Sequence, residues 1–98
     1  MLGRYVRNTT LVLRNLPRMT TLPLLRRLVE AQVGPVVEVY LPLSTQSLCV
    51  GHAYVEFNSR ETLETAAPLL RGLTIRGNRI FVHELPESPD RIVIIRDV

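Results

Sequence analysis

Hydrophobic and polar positions alternate along this chain in two distinct rhythms, and the switches between them mark out the elements. Leu11, Val12 and Leu13 form a short apolar run that Asn15, Leu16 and Pro17 close. This reads as a strand, because proline cannot donate to a ladder and marks a turn. Thr21 is placed to cap a helix, Pro23 is tolerated in its first turn, and Leu25, Leu28, Val29 and Gln32 follow at i, i+3, i+4 and i+7 before Gly34 stops it. Val37, Val39 and Leu41 then alternate with Glu38 and Tyr40 in a second strand over 36–41, and a polar loop runs from Pro42 through Gln46. From Leu48 to Phe57 the parity of a third strand puts Ala53, Val55 and Phe57 on one face and His52, Tyr54 and Glu56 on the other.

The helical rhythm returns after Asn58 or Ser59, with Leu63, Ala66, Ala67 and Leu70 on one stripe. Pro68 interrupts that stripe. It removes one backbone bond and crowds the carbonyl of Glu64, at a cost of about 3 kcal/mol in a regular helix, so a kink or an early end is expected. Leu73 to Ile75, the turn residues Gly77 and Asn78, and Arg79 to His83 read as a hairpin whose second arm buries Ile80 and Val82. The order βαββαβ predicts an α+β fold: a ferredoxin-like sandwich in which a four-stranded antiparallel sheet carries two helices on one face and leaves the other free.

Composition narrows the chemistry. The chain has 98 residues, 46% of them hydrophobic, which suits one small domain and no second. Cys49 is the single cysteine, and with His52 and His83 as the only histidines there is neither a disulfide nor a four-ligand zinc set, so no metal or cofactor is expected. No apolar run approaches the roughly 20 residues that span a bilayer, and no secretory signal pattern is present. A soluble intracellular protein with no membrane association is therefore expected.

All twelve cations are arginine, permanently charged and able to fork onto phosphate or stack on a base. Residues 1–49 hold six arginines against Glu30 and Glu38, a net +4, whereas residues 50–98 hold six against seven acids, a net −1. The stretch 1–9 reads as a flexible basic arm. No acid precedes Glu30, which keeps mitochondrial import as an alternative to the nucleus, the first expectation for location.

The segment Val50-Gly51-His52-Ala53-Tyr54-Val55-Glu56-Phe57 resembles the second signature of the RNA-recognition motif, [RK]-G-[FY]-[GA]-[FY]-[ILV]-x-[FY]. Gly51, Ala53, Tyr54, Val55 and Phe57 match, while Val50 stands for the usual cation and His52 for the first aromatic. Leu11-Val12-Leu13-Arg14-Asn15-Leu16 is similar to the companion signature of aliphatic, aromatic, aliphatic, any, Asn, Leu, with Val12 in the aromatic place. The likeness spans about residues 10 to 84 and includes Gly77-Asn78-Arg79-Ile80 before the last strand.

The resemblance implies single-stranded RNA as the partner. Bases would stack on rings at about 1–3 kcal/mol each, with arginines on the phosphates. It puts Tyr54 and His52 in stacking positions and gives Val12 only an apolar contact, which implies weaker binding than a complete motif has. By parity Tyr40, Arg14, Arg79, Phe81 and His83 share the open face, and the family's strand order places Phe81 beside Val12 as a substitute ring. Phosphate or base contacts fall to Arg14 and Arg79. Arg26 and Arg27 fall on the polar side of the first helix, where solvation accounts for them.

Residues 85–98 form a linker followed by Val93-Ile94-Ile95-Arg96-Asp97-Val98, which repeats the pattern of 11–16. This reads as the start of a second motif copy or as an extra strand, since an unpaired apolar strand invites pairing. Two further functions compete with RNA binding in RNA processing. Degenerate members of the family hold protein partners in ribonucleoprotein complexes, which Val12 and Val50 favour. Acylphosphatases share the strand order, but they need a glycine-rich anion loop where this chain has Leu16-Pro17-Arg18-Met19, so no enzyme and no catalytic residue are expected.

Overall fold

A computed structural model describes residues 9–84. The elements run β1 (Thr10–Arg14), α1 (Leu22–Val33), β2 (Glu38–Tyr40), β3 (His52–Glu56), α2 (Arg60–Leu70), β4 (Thr74–Ile75), β5 (Asn78–Arg79) and β6 (Phe81–Glu84). Four strands form one antiparallel sheet in the order β2-β3-β1-β6, and β4 and β5 make a separate hairpin. Both helices pack on one side. Leu25 and Val29 of α1 and Leu63, Ala66, Ala67 and Leu70 of α2 share one core with Leu11, Leu13, Val39, Ala53, Val55 and Phe57 of the sheet. The α+β sandwich expected from the order of elements is the fold.

Both helices begin where side chains can satisfy their free N–H groups. Thr21 Oγ1 accepts from Leu24 N–H at 3.3 Å, and Ser59 Oγ accepts from Thr62 N–H at 3.1 Å. Gly34, at φ 88°, closes α1 with its N–H on the Glu30 carbonyl. The inward stripe of α1 ends on Val33 rather than on Gln32, which is exposed. α2 continues through Pro68 and ends two residues later at Leu70. The proline ring lies on the exposed side, where the Glu64 carbonyl that loses its donor can meet water.

Strand limits are tighter than the alternation suggests. Gly51, at φ 107°, turns the chain before His52, so β3 starts there rather than at Leu48. β2 starts at Glu38, and the reversal of parity before it leaves Val37 48% exposed while Val36 packs against the core. The hairpin also differs from its expected form. Its turn is Arg76-Gly77, both at positive φ (50° and 87°), so Asn78 pairs with Ile75 as the first residue of β5. Two positive-φ residues match the twist of the flanking strands in a two-residue turn. The expected single arm 79–83 is therefore two strands, because buried Ile80 turns inward between β5 and β6. The stretch 1–8 and the segment 85–98, expected to be a basic arm and a linker with an added strand or second copy, lie outside the described residues.

Candidate nucleic-acid interface

The sheet face away from the helices is set by register. Thr10, Val12 and Arg14 of β1 stand opposite Glu56, Tyr54 and His52 of β3. Tyr40 and Glu38 of β2 stand opposite Tyr54 and Glu56. On the other side, Val12 pairs with His83 and Arg14 with Phe81 of β6. Phe81 is therefore beside Arg14, not beside Val12. The register is fixed by Val82, which packs inward opposite Leu13, and β6 cannot begin before Phe81 because Arg79 is held in the hairpin.

This placement makes Arg14 the centre of a cluster. Its Nε–H donates to Nε2 of His83 at 3.1 Å, and His52 faces it from β3. Both imidazoles are held below the ordinary histidine pKa, first by partial burial and then by the Arg14 guanidinium. The His52 ring meets Tyr54 edge-on, with centroids 5.6 Å apart and planes at 78°. Phe81 is 56% exposed and Tyr40 43%, and His83 is exposed as well. Tyr54 and Val12 are buried at 7% and 4%, although neither belongs to the core beneath the helices.

Arg79 belongs to the hairpin rather than to the main sheet, so strand parity does not place it. Asn15 does. In the left-handed region at φ 73°, it donates from Nδ2 to the Arg79 carbonyl at 2.9 Å, while Asn78 Nδ2 donates back to the Asn15 carbonyl at 3.1 Å. Arg79 thereby borders a recess of about 370 Å³ with Arg71, Phe81 and His83 at the β6 edge. Arg71 was not expected there. It follows the last turn of α2, and only packing of that helix under β6 brings it to this edge.

The opposite edge carries the other sign. Glu38 and Glu56 stand as a cross-strand pair, and the Tyr40 hydroxyl donates to Glu56 Oε1 at 3.5 Å. The Tyr40 pKa is raised by burial, then by Glu56 and Glu38, which keeps the hydroxyl protonated as a donor. Arg26, expected to be merely solvated, bridges Glu30 at 3.3 Å and Glu38 at 3.5 Å. The open face thus runs from arginines at β6 to carboxylates at β2. Among the described residues there is no cluster of three His, Cys, Asp or Glu able to hold a metal, and no helix long and apolar enough to cross a membrane.

This geometry agrees with comparison to known proteins. The structure is similar to Sex-lethal RNA recognition domains 1 and 2 from Drosophila melanogaster, at 28% identity and a TM-score of 0.69, over 85% of this chain and 52% of that one. A Sex-lethal protein/RNA complex matches at 27% identity and a TM-score of 0.74, over 85% and 50%. This chain thus spans about half the length of those two. The Rna15 RRM with bound RNA (GU) shares the fold, at 19% identity and a TM-score of 0.72, over 90% and 95%. No curated protein matches the sequence significantly. The family model for the RNA recognition motif matches residues 11–87, and the chain belongs to that family.

Proposed function

We propose that this domain binds single-stranded RNA on its open sheet face, as a binding module rather than a catalyst, within RNA processing. The observation that carries the reading is the Arg14 cluster. One strand centre brings a guanidinium, two imidazoles and the exposed Phe81 ring onto a face that the helices leave free. Phosphates follow Arg14, Arg79 and Arg71 along the β6 edge, and bases lie across the sheet toward β2, with Phe81, His52 and Tyr40 as the stacking surfaces. The similarity to a Sex-lethal protein/RNA complex, at 27% identity, supports this direction. Titrating short RNA oligonucleotides at two salt concentrations tests it. Each phosphate contact contributes about 0.7 to the slope of log affinity against log salt on a single strand, so Arg14→Ala should flatten that slope. An RNA affinity absent at low salt would remove the proposal.

A second reading rests on a different surface. Met19, Leu22, Leu43 and Val50 are exposed at 66%, 43%, 54% and 45%, and Cys49 N–H donates to the Arg18 carbonyl at 3.0 Å, which ties the loop bearing Met19 to the one bearing Val50. Exposed apolar side chains on loops tied in this way suit a protein partner in a ribonucleoprotein.

A further inference from the structure

Charge in this domain is sorted between its two ends. Register puts Glu38, Glu56 and Glu84 at the end of the sheet where β1 begins, since Glu56 stands opposite both Thr10 and Glu38, and Glu84 opposite Leu11. α2 starts from that end with Glu61 and Glu64 in its first half, and α1 reaches it with Glu30 in its last turn. These six are all the acids of residues 9–84. The opposite end, built from the loops 15–21 and 41–51 and the β4–β5 hairpin, carries Arg18, Arg71, Arg76 and Arg79, with Arg14 at its border and no acid among the described residues. Arg26 and Arg60 offset part of the acidic end by pairing with Glu30, Glu38, Glu64 and Glu84, whereas none of those five arginines has an ion-pair partner among the described residues.

We propose that the cationic end of one copy docks on the acidic end of the next, so that the protein self-associates head to tail. The proposal rests on the protein-partner reading of the Met19, Leu22, Leu43 and Val50 patch and names that partner as a second copy. Two cationic ends repel each other, as do two acidic ends, so a symmetric contact is disfavoured and only the head-to-tail contact joins opposite charges.

The apolar surface lies on the cationic end. Met19, Leu43 and Val50 belong to its loops, and Leu22 opens α1 beside them. Leu22 also walls a recess of about 360 Å³ beside β2 with Tyr40, Leu41 and Pro42, roomy enough for an apolar side chain. The acidic end offers Val37, 48% exposed, next to Glu38. Aliphatic side chains set among arginines favour a protein over RNA here, because they bury against apolar surface but present no π face to a base. Around them, Arg18 in its loop and Arg76 in the hairpin turn are left unassigned by the RNA reading, and Glu56 and Glu61 are the acids opposite them in charge that have no ion pair among the described residues. Because the two surfaces differ, association does not close at a dimer.

Sedimentation equilibrium of the whole 98-residue chain tests this. At low salt the average mass should climb with concentration past that of a dimer, and at high salt it should fall back to one chain. Arg18→Glu with Arg76→Glu, and separately Glu56→Lys with Glu61→Lys, should each abolish association, and an equal mixture of the two variants should restore it, a rescue that misfolded chains would not give. Met19→Ser with Leu43→Ser should weaken association about tenfold. A native chain that stays monomeric at low salt up to about 1 mM overturns the proposal and leaves a different protein partner for the patch standing. A mass that levels at a dimer, a mixture that fails to restore association, a Met19 and Leu43 variant that associates like the native chain, or an association that ribonuclease abolishes, which is bridging by RNA, overturns it as well.

Discussion

The Nε–H of Arg14 donates to Nε2 of His83 at 3.1 Å across the β1–β6 pair. Accepting through Nε2 requires a neutral imidazole with its proton on Nδ1. His52, on the other flank of Arg14, is likewise held below the ordinary value of 6.5, chiefly by partial burial and then by the same guanidinium. The open face therefore carries two histidines, one on each side of Arg14, that are neutral at physiological pH.

The sign of the pH dependence follows from those shifts. Above the ordinary histidine pKa, folded and unfolded chains are both neutral and the histidines contribute no pH dependence. As pH falls below it, the unfolded chain takes up protons that the fold resists, so stability declines until the lowered folded pKa values are passed. RNA acts in the other direction, because a nearby phosphate favours the charged ring. Urea midpoints should fall between pH 7.5 and 5.5 while RNA affinity rises. His52→Gln with His83→Gln should flatten both, and unchanged curves in that double variant would remove the assignment.

Phe81 separates binding from stability more cleanly than Tyr54 does. It is 56% exposed, against 7% for Tyr54, so truncating it costs the fold little. Phe81→Ala should weaken RNA binding by about 1–3 kcal/mol, the range for one base stack, with an unchanged urea midpoint. Tyr54→Ala should lower both. Equal RNA affinity in Phe81→Ala and the native protein, by fluorescence titration, would show that no base rests on that ring.

Asn15 holds the hairpin to the sheet. Asn15→Ala removes the 2.9 Å bond to the Arg79 carbonyl and leaves a residue with a Cβ but no side-chain amide at φ 73°. A lost hydrogen bond and an unfavourable left-handed residue together should cost about 2 kcal/mol. The amides of β4 and β5 should exchange faster with solvent than those of β1 and β3. Asn15→Gly, which restores the backbone freedom but not the bond, should recover part of the loss.

The sequence by itself determined the order of elements and, for β3 and α2, the inward set. A period of two in Ala53, Val55 and Phe57, and a period near 3.6 in Leu63, Ala66, Ala67 and Leu70, are local properties that do not depend on what lies opposite, and every one of these residues is buried. Tyr54, His52, Arg14 and Tyr40 were legible for the same reason, since strand parity alone assigns them to the outer face. Their signature neighbours Gly51 and Phe57 were equally legible.

Register and the reach between elements were not. Whether Phe81 stands beside Val12 or Arg14 depends on where β6 starts, and that is set by the Arg76-Gly77 turn, by Ile80 turning into the core and by Asn15 holding Arg79 in the hairpin. Arg71 reaches the cationic edge through the packing of α2, and the β2 recess forms where Leu22 of α1 meets Tyr40 and Pro42. Alternation tells a residue which side it faces. Only tertiary packing decides which residue it faces there, because that choice is made by chain segments far apart in sequence.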